Sequence, residues 1–376
     1  MHGKIQARNG KPRIAVFTKP LDNWKSGSGH HLQEMMNAVL DLAGDRFDFT
    51  FVHYKPSENP IYGRGIRELI VPRNPLRSAA ALRRERFDLV HYAPLTIFSP
   101  IWGISAKKVA TIHGAEQLLV PQFYSKIDLA HEHLIAPTYM RRMDGIVTVS
   151  NTSASFFVDR YRVRPERIVV CYNGLGPAYR VMPEAEIAAP RRYGIEGPFV
   201  FHVSRFSGRK NPWTLLEAFA RLVSERGASQ KLVCAGGGWN EPEVLERVRE
   251  LGIADRFVAP GFVPEGDIVE LMNAADAFIF PSLAEGFGMP NVEAMACGCP
   301  VVTTSGFAMR EIVGDAALVV EDPLDSAALA EALHGVLSDE RLRASLVERG
   351  FARLHLFSWE DAARKQIALY ERLLGD

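Results

Sequence analysis

Short apolar runs of strand length alternate with helix-length segments along nearly the whole chain, and the pattern is laid down twice in succession. The first series falls at 13–18, 47–52, 88–92, 108–113, 145–150 and 167–172, and the second at 199–204, 231–235, 256–260, 277–280, 300–304 and 317–320. These runs are nearly continuous in Val, Ile, Leu and Phe, with little polar alternation. A parallel sheet covered by helices on both faces requires that. The expected fold class is therefore α/β, with two doubly wound domains. Their expected limits are 1–178 and 199–358, joined by a turn-rich linker at 179–198 and followed by a helix at 359–376 that crosses back to the first domain.

A chain of 376 residues is long enough for two such cores. Its 44 basic and 44 acidic side chains cancel, so no nucleic-acid partner is expected. The cancellation hides a split, because residues 1–180 hold 25 Lys and Arg against 15 Asp and Glu, a balance of +10 that the remainder offsets. The densest basic stretch runs from Arg64 to Arg86 around an apolar helix-like segment, a face suited to an anionic membrane surface or acidic acceptor. Four cysteines are too few for a disulfide scaffold and fit free thiols in a reducing compartment. No apolar run is long enough to span a bilayer, and residues 1–12 read as a basic tail without the apolar centre of a secretion signal. A cytoplasmic location is expected, with peripheral contact at the inner face of the membrane.

Ligands of open α/β sheets bind beyond the carboxyl ends of the strands. After the run at 277–280 the chain enters a turn with Gly286 and Gly288, then a helix opened by Pro290. Amides at Gly288, Met289 and Asn291 form a phosphate site at such a helix start. Glu285 and Glu293 bracket it with carboxylates able to accept from ligand hydroxyls. Hydroxyls, diphosphate and ribose, in that order, describe a nucleotide sugar.

On these residues the chain resembles the retaining glycosyltransferases of family 4, whose E-x7-E signature matches Glu285 through Glu293. Ala275-Asp276, Phe280-Pro281-Ser282 and the 297–302 segment extend the match. The resemblance implies a GT-B fold, two Rossmann-like domains facing a central cleft, and transfer of a hexose from a nucleotide diphosphate sugar to an acceptor hydroxyl with retention. It further implies that Glu285 orients the hexose, Glu293 holds the ribose, and Gly286, Phe287, Gly288 and Met289 line the donor site. Arg205 and Lys210, after the 199–204 run, would neutralise the departing diphosphate in place of a metal. Arg209 is not required by that pattern and reads as a solvated loop residue. No D-x-D triplet is present to ligate an ion, and no cofactor is implied.

In the first half, Lys25 to Leu32 reads as a glycine-rich loop ahead of a helix at 33–42, and Gly29 is the residue the resemblance brings toward the donor phosphates. It lacks the full G-x-G-x-x-G fingerprint, which disfavours a nicotinamide site. His113, followed by Gly114 and Glu116, ends a strand and is the expected contact to the transferred sugar. Val263, in the segment 261–264, marks where backbone groups would hold the base. His131-Glu132-His133 and Cys297-Gly298-Cys299 lack the partners of a metal set and read as structural. The expected donor is GDP-mannose, with UDP-glucose next, and the acceptor a glycan or lipid-linked glycan in polysaccharide or glycolipid assembly. A nucleotide-sugar 2-epimerase, a disaccharide phosphorylase of the same architecture, and a non-catalytic nucleotide-sugar-binding protein remain open alternatives.

Overall fold

The computed structural model describes residues 10–23 and 26–375. Most of the expected N-terminal tail, together with Lys25, therefore lies outside the described residues. Two compact units emerge: residues up to 114, 126–174 and 359 onward form the first, while 115–125 and 175–358 form the second.

The first unit carries seven strands: β1 (Arg13–Phe17), β2 (Asp48–His53), β3 (Arg67–Ile70), β4 (Leu89–Tyr92), β5 (Lys107–Thr111), β6 (Gly145–Thr148) and β7 (Ile168–Val170). They pair in parallel in the order β3-β2-β1-β4-β5-β6-β7. Residues of β4 and β6 are buried throughout, which is why their sequence shows no alternation. The helix Trp359–Gly375 packs Ala363, Ile367 and Tyr370 into this unit's core beside Met36 and Val39 of the helix Gly27–Ala43. That first helix starts six residues before the expected 33, so the glycine-rich stretch is helical and not a loop. Ser26 is the reason: its hydroxyl accepts from the Gly29 amide and caps the helix start, which outweighs the low helix propensity of two glycines.

The second unit holds β8 (Phe199–Val203), β9 (Lys231–Ala235), β10 (Phe257–Gly261), β11 (Ala277–Phe280), β12 (Val301–Thr304) and β13 (Ala317–Val320). All pairs are parallel, in the order β10-β9-β8-β11-β12-β13. Phe201, Phe278 and Phe280 are fully buried on one face, each contributing about 2–3 kcal/mol. On the other face the helix Pro212–Arg226 sets Leu215, Phe219 and Leu222 against Val200, Ile279 and Val302. Pro212 opens that helix, and Gly227, at φ 65°, closes it in the left-handed region. Residues 179–198 do not form a free linker, because Ala189 and Ile195 lie in this unit's core and Glu270 accepts from the Ala188 and Ala189 amides. The segment 115–125 also belongs to this unit, although it follows a strand of the first.

In both sheets the strand order reverses beside the first strand, at β1/β4 and at β8/β11. Chain leaving such neighbours in opposite directions opens a crevice at their carboxyl ends. Arg209 and Lys210, on the turn after β8, meet Glu285, on the chain leaving β11, at the β8/β11 crevice.

Candidate functional site

The turn after β8 is held from three sides. Ser204 O accepts from Trp239 Nε1 at 2.8 Å, and the Phe206 amide donates to Gly237 O at 2.8 Å. Gly236 sits at φ 122°, and a Cβ there would lie 2.1 Å from Ser204 O, so only glycine permits this approach. Asn211, left-handed at φ 57°, donates to Pro281 O at 3.1 Å and Pro323 O at 2.6 Å. The Leu283 amide donates to Arg209 O at 2.9 Å. These bonds fix the turn 204–211 against the chain leaving β11.

On that frame Lys210 Nζ lies 2.6 Å from Glu285 Oε1, and Arg209 Nη1 lies 2.6 Å from the same oxygen. Arg209 also donates to Ala284 O at 2.8 Å. Arg209 is thus not a solvated loop residue, since the 3₁₀ turn Gly208–Lys210 turns it and Lys210 toward one carboxylate. Arg205 stands apart, exposed and without an ion pair among the described residues. Burial acts to raise the Glu285 carboxyl, but Lys210 and Arg209 more than reverse it and hold it at about 2. Burial pulls the Lys210 ammonium below its ordinary value, against the attraction of Glu285. Taken by themselves, Arg209, Lys210 and Glu285 sum to one positive charge in partly buried surroundings, where charge interactions are stronger than in water.

Backbone amides follow Glu285 closely in sequence. Gly288 adopts φ 88° ahead of the helix Met289–Ala296, and no side chain caps that helix. The Gly288 and Met289 amides donate to nothing among the described residues. Asn291 is not part of this set: its amide donates to Gly288 O at 3.1 Å, and its fully buried side chain lies 3.4 Å from the Thr303 hydroxyl. Phe287 is 5% exposed and meets the Phe357 ring edge-on at 5.8 Å. The Gly286 amide is engaged by a residue distant in sequence, donating to Glu116 Oε1 at 2.9 Å. Burial raises the Glu116 carboxyl, and neighbouring Glu285 adds to the effect.

Glu293 is not part of the Lys210 cluster. Its carboxyl is pushed up to about 8, by burial first and then by Glu265, while Tyr179 opposes the shift. Tyr179, missed in the sequence, packs against the core of the same unit, and burial raises its phenol. The Val263 side chain belongs to the core at 3% exposure, so only its backbone is open to a ligand, whereas Phe262 beside it is 70% exposed.

In the first unit, His113 lies two residues beyond β5, and its ring stands edge-on to His31 with centroids 4.5 Å apart. Burial pushes its imidazole down to about 4, which leaves it neutral at physiological pH. Neither ring nitrogen of His113 has a partner among the described residues. His31 is buried and pairs Nδ1 with Asn173 Oδ1 at 2.7 Å, a structural role. Gly29 gives its amide to Ser26, so that group is not free for a phosphate. Of the basic stretch, Arg64 pairs with Asp41 and Arg67 with Glu85, whereas Arg73, Arg77, Arg83, Arg84 and Arg86 form no ion pair among the described residues. Leu76 lies among them at 76% exposure. All four cysteines are free and buried. Among the described residues no helix is long and apolar enough to cross a membrane.

Two sheets of Rossmann strand order, with Arg209 and Lys210 sharing Glu285 ahead of a helix start whose Gly288 and Met289 amides are unengaged among the described residues, make an arrangement suited to a phosphate-bearing ligand. The family model for glycosyl transferases group 1 matches residues 187–353, and that for glycosyltransferase family 4 matches 37–179. The O-antigen chain mannosyltransferase B of Escherichia coli is 30% identical over 304 residues, covering 80% of this chain and 78% of that protein. The MMP alpha-(1->4)-mannosyltransferase of Mycolicibacterium hassiacum is 27% identical over 359 residues, covering 94% and 78%. A glycosyltransferase structure from Rickettsia africae superposes with a TM-score of 0.76 at 18% identity, covering 98% of this chain and 100% of that one. Anabaena HepE, in complex with UDP and glucose, superposes with a TM-score of 0.75 at 21% identity over 96% and 99%. The chain belongs to glycosyltransferase family 4 and has the GT-B fold.

Proposed function

We propose that the protein transfers a hexose from a nucleotide diphosphate sugar to an acceptor hydroxyl with retention of anomeric configuration and without a metal ion. The observation that carries this reading is the pair of cations, Arg209 and Lys210, sharing Glu285 beside the unengaged amides of Gly288 and Met289. As the bond from the sugar C1 to the diphosphate oxygen breaks, negative charge grows on the leaving group. Lys210, Arg209, Arg205 and the helix start stabilise it where it develops. Glu285, fully ionised at neutral pH, accepts from the hexose hydroxyls and also keeps the two cations in place. Glu293 accepts from the ribose, and neutral His113 hydrogen-bonds the transferred sugar. The acceptor's hydroxyl proton passes to the departing phosphate oxygen as the new C1–O bond forms. No protein base is then needed, and catalysis consists of positioning and charge stabilisation.

GDP-mannose is the favoured donor and UDP-glucose the next. The mannosyltransferase names of two long-coverage relatives support mannose, and they support a role in assembling a glycan or lipid-linked glycan. The five unpaired arginines between Arg73 and Arg86, with Leu76 exposed among them, support contact with an anionic membrane surface. Flotation with anionic liposomes at low salt tests that contact, and protein left at the bottom of the gradient refutes it. The donor reading is tested by a thermal-shift panel of GDP, UDP, ADP and their sugars, followed by product analysis with and without acceptor. A rise in melting temperature with GDP-mannose and sugar transfer that needs an acceptor are expected. Turnover of donor alone to an epimer, or strict dependence on inorganic phosphate, would overturn it.

A further inference from the structure

We propose that Glu116 is a resident counter-anion of the donor pocket, holding the Gly286 amide in the free protein until the donor displaces it; the inference rests on the donor reading above. Glu116 reaches Gly286 across 170 positions of sequence, with its Oε1 2.9 Å from the amide nitrogen. The same segment touches the opposite wall of the pocket. Phe123 lies so close to Gly208 that a Cβ on that glycine would sit 2.1 Å from the ring, and Gly208 opens the turn that carries Arg209 and Lys210. The segment 115–125 therefore spans both walls, meeting a backbone glycine on each.

Charge balance gives the contact its meaning. Arg209, Lys210 and Glu285 sum to one positive charge, and an ionised Glu116 brings the cluster to zero. A diphosphate entering with Glu116 in place meets a neutral pocket and a like charge within reach. Once Glu116 has withdrawn, it meets a cationic pocket with the Gly286 amide freed alongside those of Gly288 and Met289. Ala115 and Val120 anchor the segment in the core, whereas its helical pieces, Glu116–Leu119 and Pro121–Phe123, are one turn each with no side-chain cap at either start, so the withdrawal required is a local one of the Glu116 side chain and its turn. Small anions that cannot replace the lost contacts are excluded, while a nucleoside diphosphate, with base and ribose held elsewhere in the pocket, can displace the carboxylate. Glu116 is thereby a specificity-setting residue of the donor site and takes no part in bond making.

Calorimetric titration of GDP, UDP and inorganic pyrophosphate into the wild type and E116Q tests this, with circular dichroism to verify the fold. GDP or UDP, whichever the wild type binds, is expected to bind E116Q about tenfold tighter, the effect of removing one adjacent like charge. Pyrophosphate affinity should rise by a similar factor. The donor KM should fall in proportion while kcat stays within about threefold, a split that a purely structural role would not produce. F123A, which frees the other end of the segment and removes a half-exposed ring, should also tighten nucleotide binding and keeps the test open if E116Q does not fold. Unchanged or weaker binding in a folded variant, with the wild type binding normally, overturns this inference alone. A wild type that binds neither nucleotide overturns the donor reading and this inference together.

Discussion

Replacing Lys210 with Ala separates catalysis from folding. The ammonium lies 2.6 Å from Glu285 Oε1 and 4.6 Å from the centre of the Phe280 ring, with a side-chain exposure of 17%. Breaking a buried ion pair outright costs about 3–5 kcal/mol because a charge is stranded. Here Arg209 remains at 2.6 Å from the same oxygen, so Glu285 keeps a partner and the loss should be nearer about 1–2 kcal/mol. In a unit of this size that lowers the melting midpoint by roughly 3–6 °C, leaving the protein folded at 25 °C. The catalytic loss is larger. A unit charge about 4 Å from the departing diphosphate, at an effective dielectric near 20, is worth about 4 kcal/mol. That corresponds to roughly a thousandfold in kcat. Release of nucleoside diphosphate at saturating donor, with a thermal melt on the same preparation, measures both quantities. A folded Lys210→Ala variant whose kcat lies within about threefold of wild type would refute charge stabilisation by this residue. Lys210→Arg keeps the charge on a differently shaped group and should fall between the two.

Arg209→Ala removes the second cation and leaves Ala284 O without its donor, so kcat should fall by roughly ten- to a hundredfold with a modest drop in melting temperature. Wild-type kinetics would return Arg209 to a structural role. Glu293 tests pH linkage. Its folded pKa of about 8 lies above the ordinary 4.5, so between those values the native state holds a proton that the unfolded chain has released. Its contribution to stability is fully present below pH 4.5 and is lost as pH rises through about 8, and Glu293→Gln should flatten that decline in melts taken from pH 5 to 9. An unchanged pH profile refutes the assignment. Gly236→Ala puts a Cβ against Ser204 O at a φ of 122°, and chemical denaturation should show a loss of roughly 2–4 kcal/mol. A loss below about 1 kcal/mol would mean that the turn relaxes freely.

How much of this could be read from the chain depended on where each residue sits. The strands of the second unit were legible because β8, β11 and β12 are covered on both faces and leave long apolar runs. β3 was not, because an edge strand of sequence Arg-Glu-Leu-Ile is largely exposed and carries no apolar signal. The start of the first helix was hidden by glycines whose cost is offset by the Ser26 cap, a serine that the basic and glycine-rich surroundings made look like loop. Glu285, Gly288 and Lys210 stood out because local spacing ties each to a strand end. Arg209 did not, since only the 3₁₀ turn decides which way adjacent basic side chains face. Glu116 was visible only as a residue following His113, for nothing in local spacing signals a partner 170 positions away. Tyr179 gave no signal in a stretch that reads as a joint between domains and instead packs on the second unit.

A crystal structure of the protein with GDP bound is the most direct test of where the leaving group is held. The β-phosphate oxygens should lie within hydrogen-bond distance of Lys210 Nζ and of the Gly288 and Met289 amides, with no metal ion between them. A nucleotide bound away from the β8/β11 crevice, or a diphosphate bridged to the protein only through a divalent ion, would contradict the proposed chemistry.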